Sequence, residues 1–294
     1  MGSADIILRS ALQQNAGLHD DQLPGCLQQQ APLRDSLRDK RQVASSFSRA
    51  AASYDSVAGL QRDVADRLAS WLPVASVERV LDLGSGTGYS QPTLCSHYPD
   101  SQLLSLDLAE GMLRHAREQR DLPGVLPVCG DAEQLPFADQ VVDLIWSSLA
   151  IQWCQQPQEL FRELWRVLRP GGRVLLSTLG PATLHELRYA WAGIDQDPHV
   201  NEFIAREQLL AHASAFTVGR AEVQTRMLEF DSLLSLMQEL KALGAHNTNP
   251  RQRKGLGGRA VLDRLQKRYE SFRAAAGSLP ATYEIHYIEL IKES

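Results

Sequence analysis

Five short apolar segments between residues 79 and 178 alternate with stretches of helical periodicity, and this alternation limits the fold more than any other feature of the chain. The segments span residues 79–83, 101–107, 125–130, 141–146 and 173–178. Apolar strands separated by helices at this spacing pair in parallel through right-handed crossovers. Pro127 cannot donate to a strand ladder, so the third segment is expected at a sheet edge. The pattern therefore predicts a doubly wound α/β core.

The segments before this core have a different character. Residues 1–40 are rich in glutamine and are expected to form a mobile extension. Apolar residues at spacings of three and four then predict a helical N-terminal lid in 41–75, ahead of the core in 76–180. We therefore expect one domain that spans residues 41–294.

The half of the domain that spans residues 181–294 is more helical. It contains two further apolar segments, 221–230 and 282–290, the second of which alternates with a period of two. These two segments are expected to complete a mostly parallel, seven-stranded sheet as antiparallel partners. Residues 231–276 between them predict a helical insertion before the last strand.

Composition places the chain among ordinary globular proteins, with 294 residues of which 44% are hydrophobic and 22% charged. No apolar run approaches the roughly 20 residues of a membrane helix, and the N-terminus lacks the features of a secretory signal. The four cysteines are scattered without a Cys-x-x-Cys pair, and no set of metal ligands is visible. We therefore expect a soluble cytoplasmic protein that does not contact a membrane.

The charge of the chain is distributed unevenly. A net charge of −5 argues against general binding of nucleic acid, because phosphate contacts dominate that affinity. Segment 251–273 nevertheless holds eight basic and two acidic residues, and so carries +6. Such a patch favours association with an acidic partner, although a solvated helix face would give the same pattern.

A glycine-rich turn follows the first predicted strand. Gly84, Gly86 and Gly88 would let the backbone approach a ligand closely and aim helix N–H groups at it. The next residue is Tyr89, where a dinucleotide fingerprint needs a small residue, so a nicotinamide-dependent oxidoreductase is the weaker alternative. No Gly-Lys-Ser/Thr follows, which excludes a Walker A loop for binding a nucleoside triphosphate.

Three acids lie at the ends of the first three predicted strands. Asp82 places a carboxylate beside the glycine turn, which suits a ligand with an ammonium group. Asp107 lies about 20 residues beyond the turn, where a carboxylate accepts ribose hydroxyls. Asp131 lies where an acid can meet an adenine amino group. Each alone could be a helix cap or a solvated loop residue, but three at successive strand ends favour a ligand site.

Together these stretches resemble the class I S-adenosylmethionine methyltransferases. The matching motifs are Leu-Asp-Leu-Gly-Ser-Gly-Thr-Gly, Leu-Ser-Leu-Asp-Leu, Gly-Asp-Ala-Glu-Gln-Leu-Pro-Phe and Val-Leu-Arg-Pro-Gly-Gly, in this order. The resemblance implies S-adenosyl-L-methionine as cofactor and S-adenosyl-L-homocysteine as product. The cofactor-binding residues that it implies are Phe47, Tyr54, Asp82, Gly84, Ser85, Gly86, Asp107, Leu108, Asp131, Ala132 and Ser147.

The flanks are similar to one family within this class, the malonyl-[acyl-carrier-protein] O-methyltransferases of biotin synthesis. The similarity covers roughly residues 41–290 and includes Phe-Ser-Arg-Ala-Ala-Ala-Ser-Tyr-Asp at 47–55, Leu-Gln-Arg at 60–62 and Leu-Pro-Ala-Thr-Tyr-Glu at 279–284. It implies O-methylation of the free carboxylate of a malonyl thioester, which starts pimeloyl and biotin synthesis. The substrate would be carried by acyl carrier protein or by coenzyme A.

This reaction does not need a catalytic side chain, because a carboxylate with a pKa near 4 is already a nucleophile at neutral pH. It does need a cation, and Arg188 is the candidate because it lies just beyond the carboxyl end of the fifth strand. Arg188 could equally be an ordinary surface arginine. Trp153, His246 and Asn247 are further substrate-binding candidates, and their alternatives are core packing for the tryptophan and helix capping for the other two.

The basic segment is interpreted as a dock for an acidic carrier protein. The docking residues predicted within it are Arg251, Arg253, Lys254 and Arg259. Two other functions remain open: methylation of another small molecule, such as a quinone precursor at carbon, and a non-catalytic cofactor-binding subunit. The sequence does not indicate an oligomeric state.

Overall fold

One seven-stranded sheet runs through the computed structural model, which describes residues 40–195, 197–244 and 259–294. The strands are β1 (Arg79–Leu83), β2 (Gln102–Asp107), β3 (Val125–Cys129), β4 (Val142–Ser148), β5 (Leu168–Leu179), β6 (Thr217–Phe230) and β7 (Leu279–Ile291). Their spatial order is β3-β2-β1-β4-β5-β7-β6. The switch point of this order lies between β1 and β4, where open α/β sheets bind their ligands.

Strand directions follow the expected pattern. The pairs β1–β2, β2–β3, β1–β4 and β4–β5 are parallel, whereas β7 runs antiparallel to both β5 and β6. β3, which contains Pro127, lies at one edge of the sheet. The prediction of a doubly wound, mostly parallel sheet that ends in an antiparallel pair is confirmed.

Helices cover both faces of the sheet. They are α1 (Lys40–Val57), α2 (Gly59–Ala69), α3 (Gln91–His97), α4 (Glu110–Arg120), α5 (Pro157–Val167), α6 (His185–Ala192), α7 (Arg206–His212), α8 (Leu233–Ala242) and α9 (Arg259–Tyr269). Short 3-10 turns follow β4 at Ile151–Trp153 and α9 at Glu270–Phe272. Within the described ranges, none of the helices combines the length and the apolar character that crossing a bilayer requires.

Two hydrophobic clusters lie on opposite faces of the sheet because successive side chains of a strand alternate. On β1, Val80 belongs to a cluster with residues of α2, α3, α6, α8 and α9, whereas Leu81 belongs to a cluster with residues of α5 and α7. On β4, Trp146 and Ile145 divide in the same way. The central strands are therefore apolar on both faces, as parallel strands covered by helices are.

The start of β5 differs from the prediction. The fifth apolar segment was predicted at 173–178, but α5 ends at Val167 and β5 begins at Leu168, so the strand includes Pro170, Gly171 and Gly172. The reason is tertiary pairing, because Gly171 N–H donates to the carbonyl of Lys292 at 2.7 Å and Gly172 accepts from Lys292 N–H at 3.0 Å. The C-terminal strand thus holds this turn in extended form.

Helix α1 packs against α4 and reaches the carboxyl edge of the sheet. Gly111, at the start of α4, donates its N–H to Ser48 Oγ at 3.2 Å, and a Cβ at Gly111 would overlap Ser48. Ala51 of α1 lies in a small cluster with Ala109 and Met112. Small residues at this contact allow the two helices to approach closely, which places one side of α1 over the carboxyl ends of the strands.

We predict that Leu81→Ala destabilises the protein by about 2–5 kcal/mol, because Leu81 is completely buried in the central strand and its truncation leaves a cavity. Leu234→Ala is the matched control, since that side chain is 60% exposed and should change stability by less than about 0.5 kcal/mol. Urea denaturation measures both. Equal losses would show that the described core is wrong at β1.

Candidate functional site

The glycine turn after β1 is held by the neighbouring strand. The N–H groups of Gly84 and Ser85 both donate to the carbonyl of Leu106, at 2.8 and 3.0 Å. Gly84 and Gly86 have φ values of +72° and +54°, a region in which a residue with a Cβ is strained. A Cβ at Gly84 would overlap Ala150, whereas a Cβ at Gly86 would meet no described atom within 4 Å. Gly86 therefore borders open space.

Buried hydroxyl groups support the inner side of this turn. Ser105 Oγ donates to Ser85 Oγ at 2.8 Å, and Gln91 Nε2 donates to Ser105 Oγ at 2.9 Å. The side chain of Ser85 is therefore committed to the turn itself. These bonds fix the loop before any ligand binds, which reduces the ordering that binding would require.

The first cleft lies at the carboxyl edge of β1, β2 and β3, under α1, and has a volume of about 870 Å³ including its open mouth. Most of the residues predicted from the sequence line it. They are Phe47, Tyr54, Gly84, Gly86, Asp107, Leu108, Asp131, Ala132 and Trp153. The structure thus brings together residues from the lid, the glycine turn and three strand ends.

Asp107, the last residue of β2, is fixed by backbone donors. Its Oδ2 accepts the N–H of Gly86 at 2.9 Å, and its Oδ1 accepts the N–H of Ala109 at 2.7 Å. Burial raises the pKa of Asp107 above its ordinary value, although N–H donors from Ala109, Gly86 and Leu108 act in the opposite direction. Each carboxylate oxygen keeps a second lone pair, so Asp107 can still accept hydroxyl groups of a ligand.

Aromatic side chains of the lid meet the segment after β4. The rings of Phe47 and Trp153 pack edge to face with centroids 5.1 Å apart, and Tyr54 lies 6.5 Å from Phe47. Burial raises the pKa of Tyr54, with the charges of Asp107 and Asp55 acting in the same direction. These rings form an apolar wall of the cleft, where a planar apolar group can pack.

A second cleft adjoins the first across the glycine turn. Its lining includes Asp82, Ser85 and Ser148 from the sheet edge and Arg62 from α2. Gly84, Gly86 and Tyr54 border both clefts, so the two are parts of one continuous site.

Asp82 is the least compensated charge of this site. The residue is 2% exposed, and within the described part of the chain its Oδ2 has no hydrogen-bond partner. Burial, with a contribution from the charge of Asp107, raises the pKa of Asp82 from 3.8 to about 8. A buried carboxylate without a partner is costly, so this position suits a ligand that supplies a cationic donor.

Arg62 supplies the opposite charge in the same cleft. Its Nη1 donates to the backbone carbonyl of Asp55 at 2.5 Å, and none of the described carboxylates lies within ion-pair distance of its guanidinium. An arginine with spare donors can hold a carboxylate in two parallel hydrogen bonds. A buried carboxyl group that a cation would ionise and an arginine with spare donors, both in one cleft, fit the zwitterionic end of an amino acid.

Two predicted residues are not brought to the clefts. Ser147 is buried with its Oγ donating to the carbonyl of Leu83 at 2.9 Å, and the neighbouring Ser148 lines both clefts instead. Arg188 lies on α6, where its guanidinium donates to the carbonyl of Pro181, and it lines neither cleft. The role of Arg188 as a carboxylate clamp thus has no support from the position of its side chain.

The side chains of the remaining predicted residues lie outside the described part of the chain. His246, Asn247, Arg251, Arg253 and Lys254 lie beyond the described residues, and for Arg259 only the backbone at the start of α9 is described.

Several cleft residues escaped sequence analysis. Lys40 and Arg62 are the cations among the described cleft-lining residues, and Asp55 accepts from Thr87 Oγ1 at 2.5 Å and from Arg120 Nη2 at 2.9 Å. Arg62 was visible in the Leu-Gln-Arg motif, and Asp55 in the lid motif, but nothing in their spacing indicated which way they face.

Comparison with known proteins now identifies the family. A family model described as "Methyltransferase domain" matches residues 81–176. The chain is 44% identical to the malonyl-[acyl-carrier protein] O-methyltransferase of Laribacter hongkongensis, over 85% of this chain and 88% of that protein. The chain belongs to the malonyl-[acyl-carrier protein] O-methyltransferase family. Both the suspected family and the expectation of a methyltransferase fold are confirmed.

Other relatives extend beyond this chain. It is 49% identical to the biotin biosynthesis bifunctional protein BioHC of Cellvibrio japonicus, over 86% of this chain and 50% of that protein. The chain thus spans about half the length of the bifunctional relatives that it matches. Among solved structures, the YcgJ protein of Bacillus subtilis superposes with a TM-score of 0.56 at 19% identity, over 79% of this chain and 99% of that one, which shows the shared fold.

These comparisons also bear on the cofactor. The expectations of a methyltransferase and of S-adenosylmethionine as its cofactor are confirmed at the level of the family.

We predict that Gly86→Ala abolishes most cofactor binding whereas Gly124→Ala does not. Both glycines have positive φ and open space around a Cβ, so each substitution should cost about 1–2 kcal/mol of stability through backbone strain. Only Gly86 borders the clefts, where a methyl group would intrude. Isothermal titration with S-adenosylhomocysteine compares the variants. Equal affinities would mean that the turn does not approach the ligand.

We further predict that affinity for S-adenosylhomocysteine rises with pH between 6 and 8. With a pKa of about 8, Asp82 must lose a proton to pair with an ammonium group, so affinity should increase by up to about tenfold per pH unit and level off above 8. Asp82→Asn should remove this slope, and Asp100→Asn, at an exposed position, should keep it. An unchanged slope in Asp82→Asn would exclude Asp82 as the ammonium partner.

Proposed function

We propose that this chain transfers the methyl group of S-adenosylmethionine to the free carboxylate of malonyl-acyl carrier protein. The observation that carries the proposal is the pairing of a continuous two-part cleft with 40–49% identity to curated relatives, several of which are named for this reaction. The product would be a malonyl methyl ester, whose charged end has become neutral.

The residues of the two clefts fit the cofactor. In the second cleft, Asp82 would accept the ammonium group and Arg62 would bind the carboxylate of the methionine part. In the first cleft, Asp107 would accept the ribose hydroxyls and Asp131 the adenine amino group, next to the apolar side chain of Leu108. The Oδ2 of Asp82, which lacks a hydrogen-bond partner among the described residues, and the open space at Gly86 support this assignment. When bound, the sulfonium supplies an electrophilic methyl group and a good leaving group.

Methyl transfer to a carboxylate mainly requires the protein to align the reacting atoms. A malonyl carboxylate is ionised at neutral pH and attacks without a general base. Asp107 is bound by backbone N–H groups, and Asp131 by Lys40 and Glu133 N–H, so both serve as fixed acceptors. Carbon methylation of a quinone precursor would need a base, whereas methylation of a carboxylate does not. Holding the reacting atoms in line is the main contribution.

The proposal assigns the acceptor side to Trp153, Arg188 and the basic segment 251–273. Trp153 lines the first cleft and would border the malonyl group. Arg188 is kept as a proposed contact for the acceptor carboxylate, which would require its guanidinium to leave the carbonyl of Pro181. The basic segment that includes Arg251 and Lys254 is proposed to attract the acidic carrier protein, which would affect the association rate and its salt dependence.

The test is transfer of labelled methyl from S-adenosylmethionine to malonyl carrier protein, with malonyl coenzyme A and acetyl carrier protein in parallel. We expect label on the malonyl thioesters alone, released as methanol by mild alkali because the bond formed is a carboxyl ester. A faster reaction with the carrier protein would show that the carrier is recognised. Cofactor binding without transfer to either malonyl thioester would overturn the proposal.

We predict that Arg62→Ala raises the dissociation constant of S-adenosylhomocysteine about 10- to 100-fold, since a charge-assisted hydrogen bond contributes about 1.5–3 kcal/mol. Arg188→Ala should leave this constant unchanged and raise KM for malonyl carrier protein. Calorimetry and steady-state kinetics separate the two effects. Normal KM in Arg188→Ala would end its proposed role, and wild-type binding in Arg62→Ala would end the carboxylate assignment.

A further inference from the structure

Lys40 is the first residue of α1, and its side chain connects this helix to the loop after β3. Its Nζ lies 2.5 Å from Asp131 Oδ2 and also pairs with Glu133 Oε2. The side chain of Lys40 is 29% exposed and lines the first cleft. The cofactor contacts proposed above do not include this lysine.

Glu133 makes this contact more than a surface ion pair. The residue is 6% exposed, and its Oε1 accepts the N–H of Gln155 at 2.6 Å and also that of Gln156, just ahead of α5. Asp131 Oδ1 in turn accepts the N–H of Glu133 at 3.0 Å. Lys40 thus links the start of α1 to the loop after β3, and Glu133 links that loop to the segment that leads into α5.

The C-terminal end of α1 is held by separate hydrogen bonds. Asp55 accepts from Thr87 Oγ1 of the glycine turn and from Arg120 Nη2 of α4, at 2.5 and 2.9 Å. Between the Lys40 ion pairs and the Asp55 hydrogen bonds, Phe47 and Tyr54 of α1 face the first cleft. Loss of the Lys40 pairs would thus remove the ion pairs at one end of α1 while the hydrogen bonds at the other end stay in place.

The orientation of Asp131 depends on the same lysine. Its two oxygens are each held by one donor, Glu133 N–H on Oδ1 and Lys40 Nζ on Oδ2. Each oxygen retains a second lone pair that can accept another hydrogen bond. A carboxylate fixed in this way presents a preset acceptor to the cleft, whereas an unpaired one would rotate and be more strongly hydrated.

We propose that Lys40 is a positioning residue for adenine recognition, which fixes the Asp131 carboxylate as the acceptor for the 6-amino group and closes the N-terminal end of α1 over the base. The inference rests on the proposed function, because it takes S-adenosylmethionine as the ligand. Lys40 itself does not touch the reacting atoms.

The experiment measures binding to the full chain by isothermal titration, with S-adenosylhomocysteine and with its analogue that lacks the 6-amino group. We expect wild type to prefer the amino compound by at least tenfold. Lys40→Met should lower the affinity for S-adenosylhomocysteine at least tenfold and reduce the preference for the amino compound to about twofold. Lys40→Arg should restore part of this preference. Arg114→Met, which breaks an exposed pair with Glu110 on α4, should behave as wild type.

A double variant controls for destabilisation of the fold by Lys40→Met. Lys40→Met leaves the charge of Glu133 buried without its partner, so Lys40→Met/Glu133→Gln removes both charges and keeps an oxygen for the N–H groups of Gln155 and Gln156. This double variant should fold, as judged by circular dichroism and Tm, and should still lack the preference.

Two results would overturn the inference. One is a wild-type protein without preference for the 6-amino group; the other is a Lys40 variant that binds both compounds more weakly but keeps the preference, because a purely structural lid contact acts on both equally. Failure of the proposed function is a different result, in which wild type binds S-adenosylhomocysteine with the preference but does not methylate malonyl carrier protein.

Discussion

The parallel register of β1 with β2 is the constraint on which the rest of the site depends. It brings Leu83 opposite Leu106, so both strands end at the same edge of the sheet. The N–H groups of Gly84 and Ser85 then donate to the carbonyl of Leu106 and continue the contact into the glycine turn. Because the turn is fixed in this way, the Gly86 N–H reaches the carboxylate of Asp107. Acids that are remote in sequence thereby face one continuous cleft.

Charge is arranged at both ends of that cleft, with an apolar wall between them. Asp107 has backbone donors, but its neighbour Asp82 lacks a described partner for Oδ2, which is why burial raises the pKa of Asp82 so far. Arg62 faces the same space, and Lys40 pairs with Asp131 and Glu133 at the opposite end. Burial keeps Asp82 protonated at neutral pH, and a ligand that supplies a cationic group would stabilise both its ionised form and the folded protein.

Residues in contiguous motifs could be predicted from the sequence, and residues placed by packing could not. Asp107 and Asp131 follow apolar strands, and parallel strands bring their ends together, so their convergence follows from the pattern alone. Ser147 and Ser148 show the limit of that reasoning: side chains alternate between faces, so a shift of one residue decides which serine reaches the cleft. Arg188 lies on a helix whose direction is determined by the loop after β5, which carries no such pattern.

The sequence by itself determined the α/β architecture, the position of the glycine turn and the family, because periodicity and short motifs are local properties that survive without coordinates. Tertiary structure decided which charges meet. Lys40 and Asp131 are far apart in the chain, and the packing of α1, including its contact with α4 through Ser48 and Gly111, brings them together. Side chains from separate helices meet at distances fixed by packing, and packing depends on the whole fold, which no local spacing encodes.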